Sequence, residues 1–152
     1  MVFLETPANP TLEVADLSIL EGMLFDSDIL LVVDNTVCTP CSQRPMLMGA
    51  DLVIHSTSKY IDGHGRCIGV AVVGKRHLIA DCRSFMRCSG PSMTAHNAWI
   101  FSKGLETLDL RVERHSKSAM AIAEWLSSHP RVSKVIFPVY YPHLPLPTNQ
   151  HE

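Results

Sequence analysis

The sequence predicts an α/β fold, a mostly parallel sheet with flanking helices. Three observations carry that expectation. Four apolar runs, at residues 2–4, 29–33, 52–54 and 68–73, are too short for buried helices and suit strands. Between the first two runs, Leu17, Leu20 and Leu24 recur at helical spacing. A strand, helix and strand of that length make parallel neighbours, because parallel strands need a crossover.

Each element has its own justification. Val2-Phe3-Leu4-Glu5 is a short strand stopped by Pro7. Asn9-Pro10 is a turn signal, with Asn9 confined to extended geometry by the proline. Asp16 or Ser18 starts the helix that carries Leu17. Ile29-Leu30-Leu31-Val32-Val33 is the most apolar run and ends in Asp34-Asn35-Thr36. Residues 40–45 read as a loop, and residues 43–49 as a short helix ended by Gly49. After the third strand, Gly63 and Gly65 mark a loop that can approach a ligand closely. The fourth strand is closed by Gly74.

The C-terminal half reads as helical. Residues 76–87 place Leu78, Ile79 and Cys82 on one side, and Gly90-Pro91 breaks the chain. Thr94 starts a helix through Trp99, Ile100 and Leu105. Leu105, Leu108, Val112, Ala119, Ile122, Ala123 and Leu126 extend an apolar stripe. Arg111, Glu113, Arg114, Lys117 and Glu124 are expected to face solvent or a partner, with Gly104 as a break or kink. Residues 131–137 read as a further strand. The tail beyond it, with Pro142, Pro145 and Pro147, is expected to be loose.

The chemistry gathers at two strand ends. Asp51-Leu52-Val53-Ile54-His55-Ser56-Thr57-Ser58-Lys59-Tyr60 runs from a strand into three hydroxyl residues and a lysine. α/β proteins place ligands beyond the carboxyl ends of their strands. The hydroxyls suit a phosphate, and a partly desolvated Lys59 would have a lowered pKa and act as an amine nucleophile. On these ten residues alone, a surface lysine in a polar loop is the commoner arrangement. Asp34 changes the balance. A carboxylate at the end of a buried strand needs a cation or strong donors, and a protonated pyridine nitrogen would serve. A plain turn-capping Asp is the alternative. An Asp and a hydroxyl-plus-Lys motif on neighbouring strands can grip opposite ends of pyridoxal 5'-phosphate.

Ordered motifs extend this reading. Glu5-Thr6-Pro7-Ala8-Asn9-Pro10-Thr11, Val33-Asp34-Asn35-Thr36 and His55-Ser56-Thr57-Ser58-Lys59-Tyr60 closely resemble the Cys/Met-metabolism family of fold-type I pyridoxal-phosphate enzymes. Gly90-Pro91-Ser92, Asn97-Ala98-Trp99 and Lys103-Gly104-Leu105-Glu106-Thr107-Leu108 continue the match, which reaches about Pro138. The resemblance implies part of the large cofactor domain of an aspartate aminotransferase-like fold. Residues 1–128 would belong to that domain, including its long linking helix, and 129–152 would begin the C-terminal small domain.

The resemblance also implies roles. Lys59 would be the Schiff-base lysine and Asp34 the partner of the pyridinium nitrogen. Ser56 and Ser58 would hold the phosphate, Asn9 would support the ring oxygen, and Thr36 would brace Asp34. The implied reaction is γ-replacement on an O-acylhomoserine, giving homocysteine or cystathionine. Gly65-Arg66-Cys67 is similar to O-succinylhomoserine sulfhydrylases more than to cystathionine lyases, whereas Val70 stands where a glycine is expected. Relatives are longer, cytoplasmic dimers of dimers acting on small amino acids. Their ring-stacking Tyr, their phosphate-binding Tyr and Arg from a neighbouring subunit and their carboxylate-binding Arg lie outside the matched stretch. The chain therefore reads as an internal fragment. A non-catalytic remnant or a partner-dependent subunit piece with weak cofactor binding is the rival reading.

Composition limits the other classes. The chain has 152 residues, enough for one substantial core. Charged residues make up only 18%, so much of the surface is expected to be buried against something else. A net charge of −2 argues against nucleic acid and anionic membranes as partners. No apolar run is long enough to span a bilayer. Five cysteines, an odd number without a visible secretory signal, are expected to be free thiols. Cys38-Thr39-Pro40-Cys41 could be a redox pair or half of a zinc site, but no second pair has the right spacing. The eight histidines show no His-Glu-x-x-His grouping, so no metal site is expected. His55 is expected to be a strand residue with a satisfied ring.

Overall fold

A computed structural model describes residues 1–138. Four strands form one sheet: β1 (Val2–Glu5), β2 (Leu31–Asp34), β3 (Leu52–Ser56) and β4 (Val70–Gly74). Their spatial order is β1-β2-β3-β4. The first three run parallel, and β4 returns antiparallel to β3. The mostly parallel sheet is therefore as the apolar runs indicate, with one antiparallel edge strand added.

Helix α1 (Leu17–Leu24) is the crossover between β1 and β2. Asp16 caps it, accepting from the N–H groups of Ser18 and Ile19 at 2.9 and 3.2 Å. Its Leu17 is fully buried with Leu31, Val33, Ala50 and Val53, and Leu20 and Leu24 pack at the margin. This is the main core, and it fixes the face on which β2 and β3 are anchored. At the opposite end of the strands, Asp51 ties the sheet together. Its Oδ2 accepts the Leu31 N–H at 2.8 Å, and Lys75 Nζ lies 2.5 Å from its Oδ1.

Between β2 and β3 the chain makes two tight elements. Residues 40–45, expected as a loop, contain a one-turn helix, α2 (Thr39–Ser42). The reason lies in Asn35, which is fully buried. Its Nδ2 donates to the Thr39 and Gln43 carbonyls at 3.2 and 2.8 Å, and its Oδ1 accepts from Gln43 Nε2 at 3.0 Å. The side chain thus adds to the backbone bond from Gln43 N–H to the Thr39 carbonyl at 3.2 Å and closes the curl. Pro45–Met48 follows as a 3-10 turn, ended by Gly49 in left-handed geometry as expected.

The rest is helical: α3 (Arg76–Ser89), α4 (Ala95–Leu105) and α5 (Leu108–Ser127). Thr94 caps α4 through Asn97 N–H. The break between α4 and α5 falls at Glu106 and Thr107, just after Gly104. The predicted apolar stripe is buried only in part. Leu108 and Ala123 are covered, whereas Leu105, Ile122 and Trp125 are more than half exposed. Helix α3 has Leu78, Ile79 and Cys82 half-buried and no fully buried residue. Residues 131–137, read as a strand, pair with none of the four strands and form no ladder. An extended segment becomes a strand only where a neighbour takes its backbone hydrogen bonds. The proline-rich tail lies outside the described residues.

Candidate active site

The parallel register brings the predicted side chains together. Asp34 pairs with Ile54, and Ser56 lies two residues further along β3. Alternation then puts Asp34 and Ser56 on one face of the sheet, while His55 and Val53 point to the other. The two strand ends are tied directly: Ser56 N–H donates to Thr36 Oγ1 at 2.8 Å. Thr36 N–H in turn donates to Asp34 Oδ1 at 2.9 Å. Thr36 therefore links the carboxylate to the hydroxyl run, through its backbone N–H on one side and its hydroxyl on the other. On β1, Glu5 is the register partner of Asp34, and its Oε2 accepts the Asn9 N–H at 3.1 Å. Asn9 is exposed at the same end of the sheet. Gln43 Nε2 also donates to the Thr6 carbonyl at 3.2 Å, joining this loop to the one after β2.

Lys59 sits in a wide helical turn, Thr57–Ile61, that leaves β3. Its own backbone is non-helical, with φ −91° and ψ −115°. Ile61 anchors the turn in a second core with Phe101 and Leu108, edged by Cys67 and Val112. Gly104 allows the approach: a Cβ there would lie 2.0 Å from the Ile61 carbonyl oxygen. The glycine loop that follows is closed by Asp62, which is fully buried. Asp62 accepts from Arg66 N–H at 2.6 Å and from Arg66 Nε at 2.8 Å. Burial pushes the Asp62 carboxyl up, but the hydrogen bonds and charge of Arg66 outweigh it and hold the group below its usual range.

The hydroxyls are not equivalent. Ser58 Oγ accepts the Gly69 N–H at 2.8 Å and lies 3.3 Å from the Gly69 carbonyl, bridging to the start of β4. Thr57 Oγ1 is buried without a hydrogen-bond partner among the described residues. Ser56 Oγ and Asp34 Oδ2 make no hydrogen bond among those residues. One unengaged carboxylate oxygen and one unengaged hydroxyl on the same sheet face suit the two ends of a pyridoxal phosphate. Lys59 forms no ion pair with a described residue and is exposed. That corrects the expectation of a partly desolvated lysine: its neighbours in the turn pack inward, and it alone with Tyr60 points out. Two shallow clefts run along α3, past Arg83 and Arg87, and neither includes Lys59.

The other candidate chemistries fare differently. Cys38 caps the short helix α2, but burial pushes its thiol up to about 11. A redox pair needs an accessible thiolate, which disfavours Cys38 as the attacking thiol, whereas Cys41 is exposed. Among the described residues, no three His, Cys, Asp or Glu side chains gather as a metal site. His55 is buried, with its ring close to the Asn35 backbone. Burial lowers its pKa, with the Asp34 charge and the Asn35 backbone opposing.

Sequence reasoning missed three contributors. Asn35 folds the loop beside Asp34, Asp62 closes the glycine loop, and Arg111 grips the lysine turn from α5. Only the Asp62–Arg66 pair had a local signal, opposite charges flanking two glycines.

A sheet that delivers a carboxylate, hydroxyls and a lysine to adjoining strand ends marks an α/β enzyme domain. The chain belongs to the Cys/Met metabolism PLP-dependent enzymes, a family that matches residues 1–152. An O-succinylhomoserine sulfhydrylase of Pseudomonas aeruginosa is 45% identical over 145 residues, 95% of this chain and 35% of that protein. A cystathionine beta-lyase of Coxiella burnetii is 40% identical over 147 residues, 95% of this chain and 37% of that protein. Among solved structures, a cystathionine gamma synthase from Xanthomonas oryzae pv. oryzae, in complex with aminoacrylate and cysteine, is 40% identical with a TM-score of 0.86. It covers 90% of this chain, which spans 36% of it. The chain thus spans about a third of the length of the relatives it matches.

Proposed function

We propose that this chain is the lysine-bearing part of a pyridoxal-phosphate transferase or lyase of sulfur amino-acid metabolism. The parent reaction is γ-replacement on an O-acylhomoserine, giving homocysteine or cystathionine. The observation that supports it best is the junction of Asp34, Thr36 and Ser56, held by two hydrogen bonds at adjoining strand ends. The bound cofactor would supply an electron sink for carbanion chemistry on an amino-acid substrate.

The chain's own residues take the remaining roles. Asp34 offers its unengaged oxygen to a ring N–H⁺, and Thr36 keeps that carboxylate oriented. Ser56 donates its hydroxyl to the phosphate. Ser58 can turn its O–H from the Gly69 carbonyl toward the phosphate while still accepting the Gly69 N–H. Asn9 supports the ring oxygen from the loop after β1. Lys59 would hold the cofactor through Nζ and would carry protons to and from the substrate. The substrate is a small amino acid, the assembly a homo-oligomer and the compartment the cytoplasm, as in the family the motifs resemble.

The exposure of Lys59 favours a second reading, a piece that binds cofactor weakly until further segments cover it. One experiment separates the two. The purified chain is mixed with pyridoxal phosphate, reduced with borohydride and mapped by mass spectrometry. A formed site gives near-stoichiometric label at Lys59, and Lys59→Ala abolishes it. Label scattered over several lysines sinks the first reading and supports the second.

A further inference from the structure

We infer that Arg111 is the positioning residue for Lys59, acting through the backbone of the turn that carries it. This rests on the proposed role of Lys59; the grip itself is geometric. The guanidinium of Arg111 reaches back from the first turns of α5. Nη1 donates to the Tyr60 carbonyl at 2.6 Å and Nη2 to the Ile61 carbonyl at 3.2 Å. Nη2 also donates to the Gly104 carbonyl at 2.7 Å, and Nε donates to Thr107 Oγ1 at 3.2 Å. One side chain therefore joins the lysine turn, the end of α4 and the start of α5.

The acceptors are telling. Tyr60 and Ile61 are the two residues after Lys59, in a turn whose lysine departs from helical geometry. The planar fork of a guanidinium can hold two adjacent carbonyls in fixed directions, which an ammonium cannot. Space is reserved for it as well. A Cβ on Gly63, whose φ is +71°, would lie 2.3 Å from Arg111 Nη1. Gly104 gives the same clearance on the α4 side, against the Ile61 carbonyl. Lys59 has no side-chain tether of its own among the described residues, so the direction of its Cα–Cβ bond is set by the turn.

The test uses the whole chain. Amide hydrogen exchange is followed at Asp62 and Gly63, whose N–H groups bond to the Thr57 and Lys59 carbonyls at 2.9 and 2.7 Å. Arg111→Ala is expected to speed exchange there about tenfold or more, the scale of losing charge-assisted hydrogen bonds. Exchange at Asn35 N–H, inside the sheet, stays unchanged. Label at Lys59 under limiting pyridoxal phosphate falls in parallel, and millimolar guanidinium ion restores both. Unchanged exchange at Asp62 and Gly63, or uniform acceleration without guanidinium rescue, overturns the inference. Should Arg111→Ala fail to fold, Arg111→Lys decides: intermediate acceleration confined to the turn supports the grip, and wild-type exchange overturns it. Absence of Lys59 label in the unaltered chain removes the proposed function, while the exchange result still judges the grip.

Discussion

At the scale of single residues, the candidate site is held by side chains outside the set proposed to bind the cofactor. Asn35 satisfies two carbonyls and one amide from a position with no solvent access. Asn35→Ala removes the side-chain donor to the Thr39 and Gln43 carbonyls, of which Thr39 keeps the Gln43 N–H. The expected cost is about 1–3 kcal/mol, read as a lower urea midpoint with an unchanged slope. Titration is readable at the same scale. Asp62 has a lowered carboxyl pKa, so its contribution is complete above about pH 4, the unfolded value, and is lost as pH falls through the lower folded value. His55 is also lowered, so the unfolded imidazole binds a proton first, from about pH 6.5 downward, and the folded state loses stability there until its own ring titrates. Both effects make the melting temperature fall on acidification. His55→Gln should flatten the change near pH 6 and leave the more acidic one in place.

Elements carried much of what could be read in the sequence. The β1, α1, β2 and β3 periodicities survive because local pattern and burial agree: Leu17, Val33 and Val53 meet in one core. The Asp34 and Lys59 ends were legible for the same reason, since parallel strands deliver their carboxyl ends to one side. The antiparallel turn of β4 was not, because the direction of an edge strand depends on how far the preceding loop runs. Arg111 reads as a cation facing solvent or a partner, and the tertiary meeting of α5 with the lysine turn gives it two of its four acceptors. Gly104 shows the competition of effects at an element junction. Alanine would gain about 1 kcal/mol of helix propensity there, but its Cβ would lie 2.0 Å from the Ile61 carbonyl oxygen. The steric term wins, and Gly104→Ala should destabilise by about 1–3 kcal/mol. Thermal melting of the variant, together with looser packing of Phe101 by near-UV circular dichroism, checks this.

For the whole molecule, the low charge fraction has a visible counterpart. Phe3, Ile68, Phe85, Trp99, Ile122 and Trp125 all stand more than half exposed. Exposed apolar side chains of this size fit a chain that spans about a third of its relatives' length. The exposure of Lys59 belongs to the same pattern, since what would dry it lies beyond its own turn. This also explains why the desolvated lysine expected from the sequence is not found: a motif specifies which atoms meet, whereas dryness depends on everything packed around them.

The plain strand order has a consequence for how the chain is made. Among the described residues each strand lies beside the one that precedes it in the sequence, so none of the four is inserted between two earlier ones. The carboxylate and the hydroxyls can meet while the C-terminal half is still in the ribosome, because neighbouring contacts close quickly. Arg111 follows all four strands in the sequence. On the inferred role of Arg111, Lys59 is synthesised before the residue that positions it.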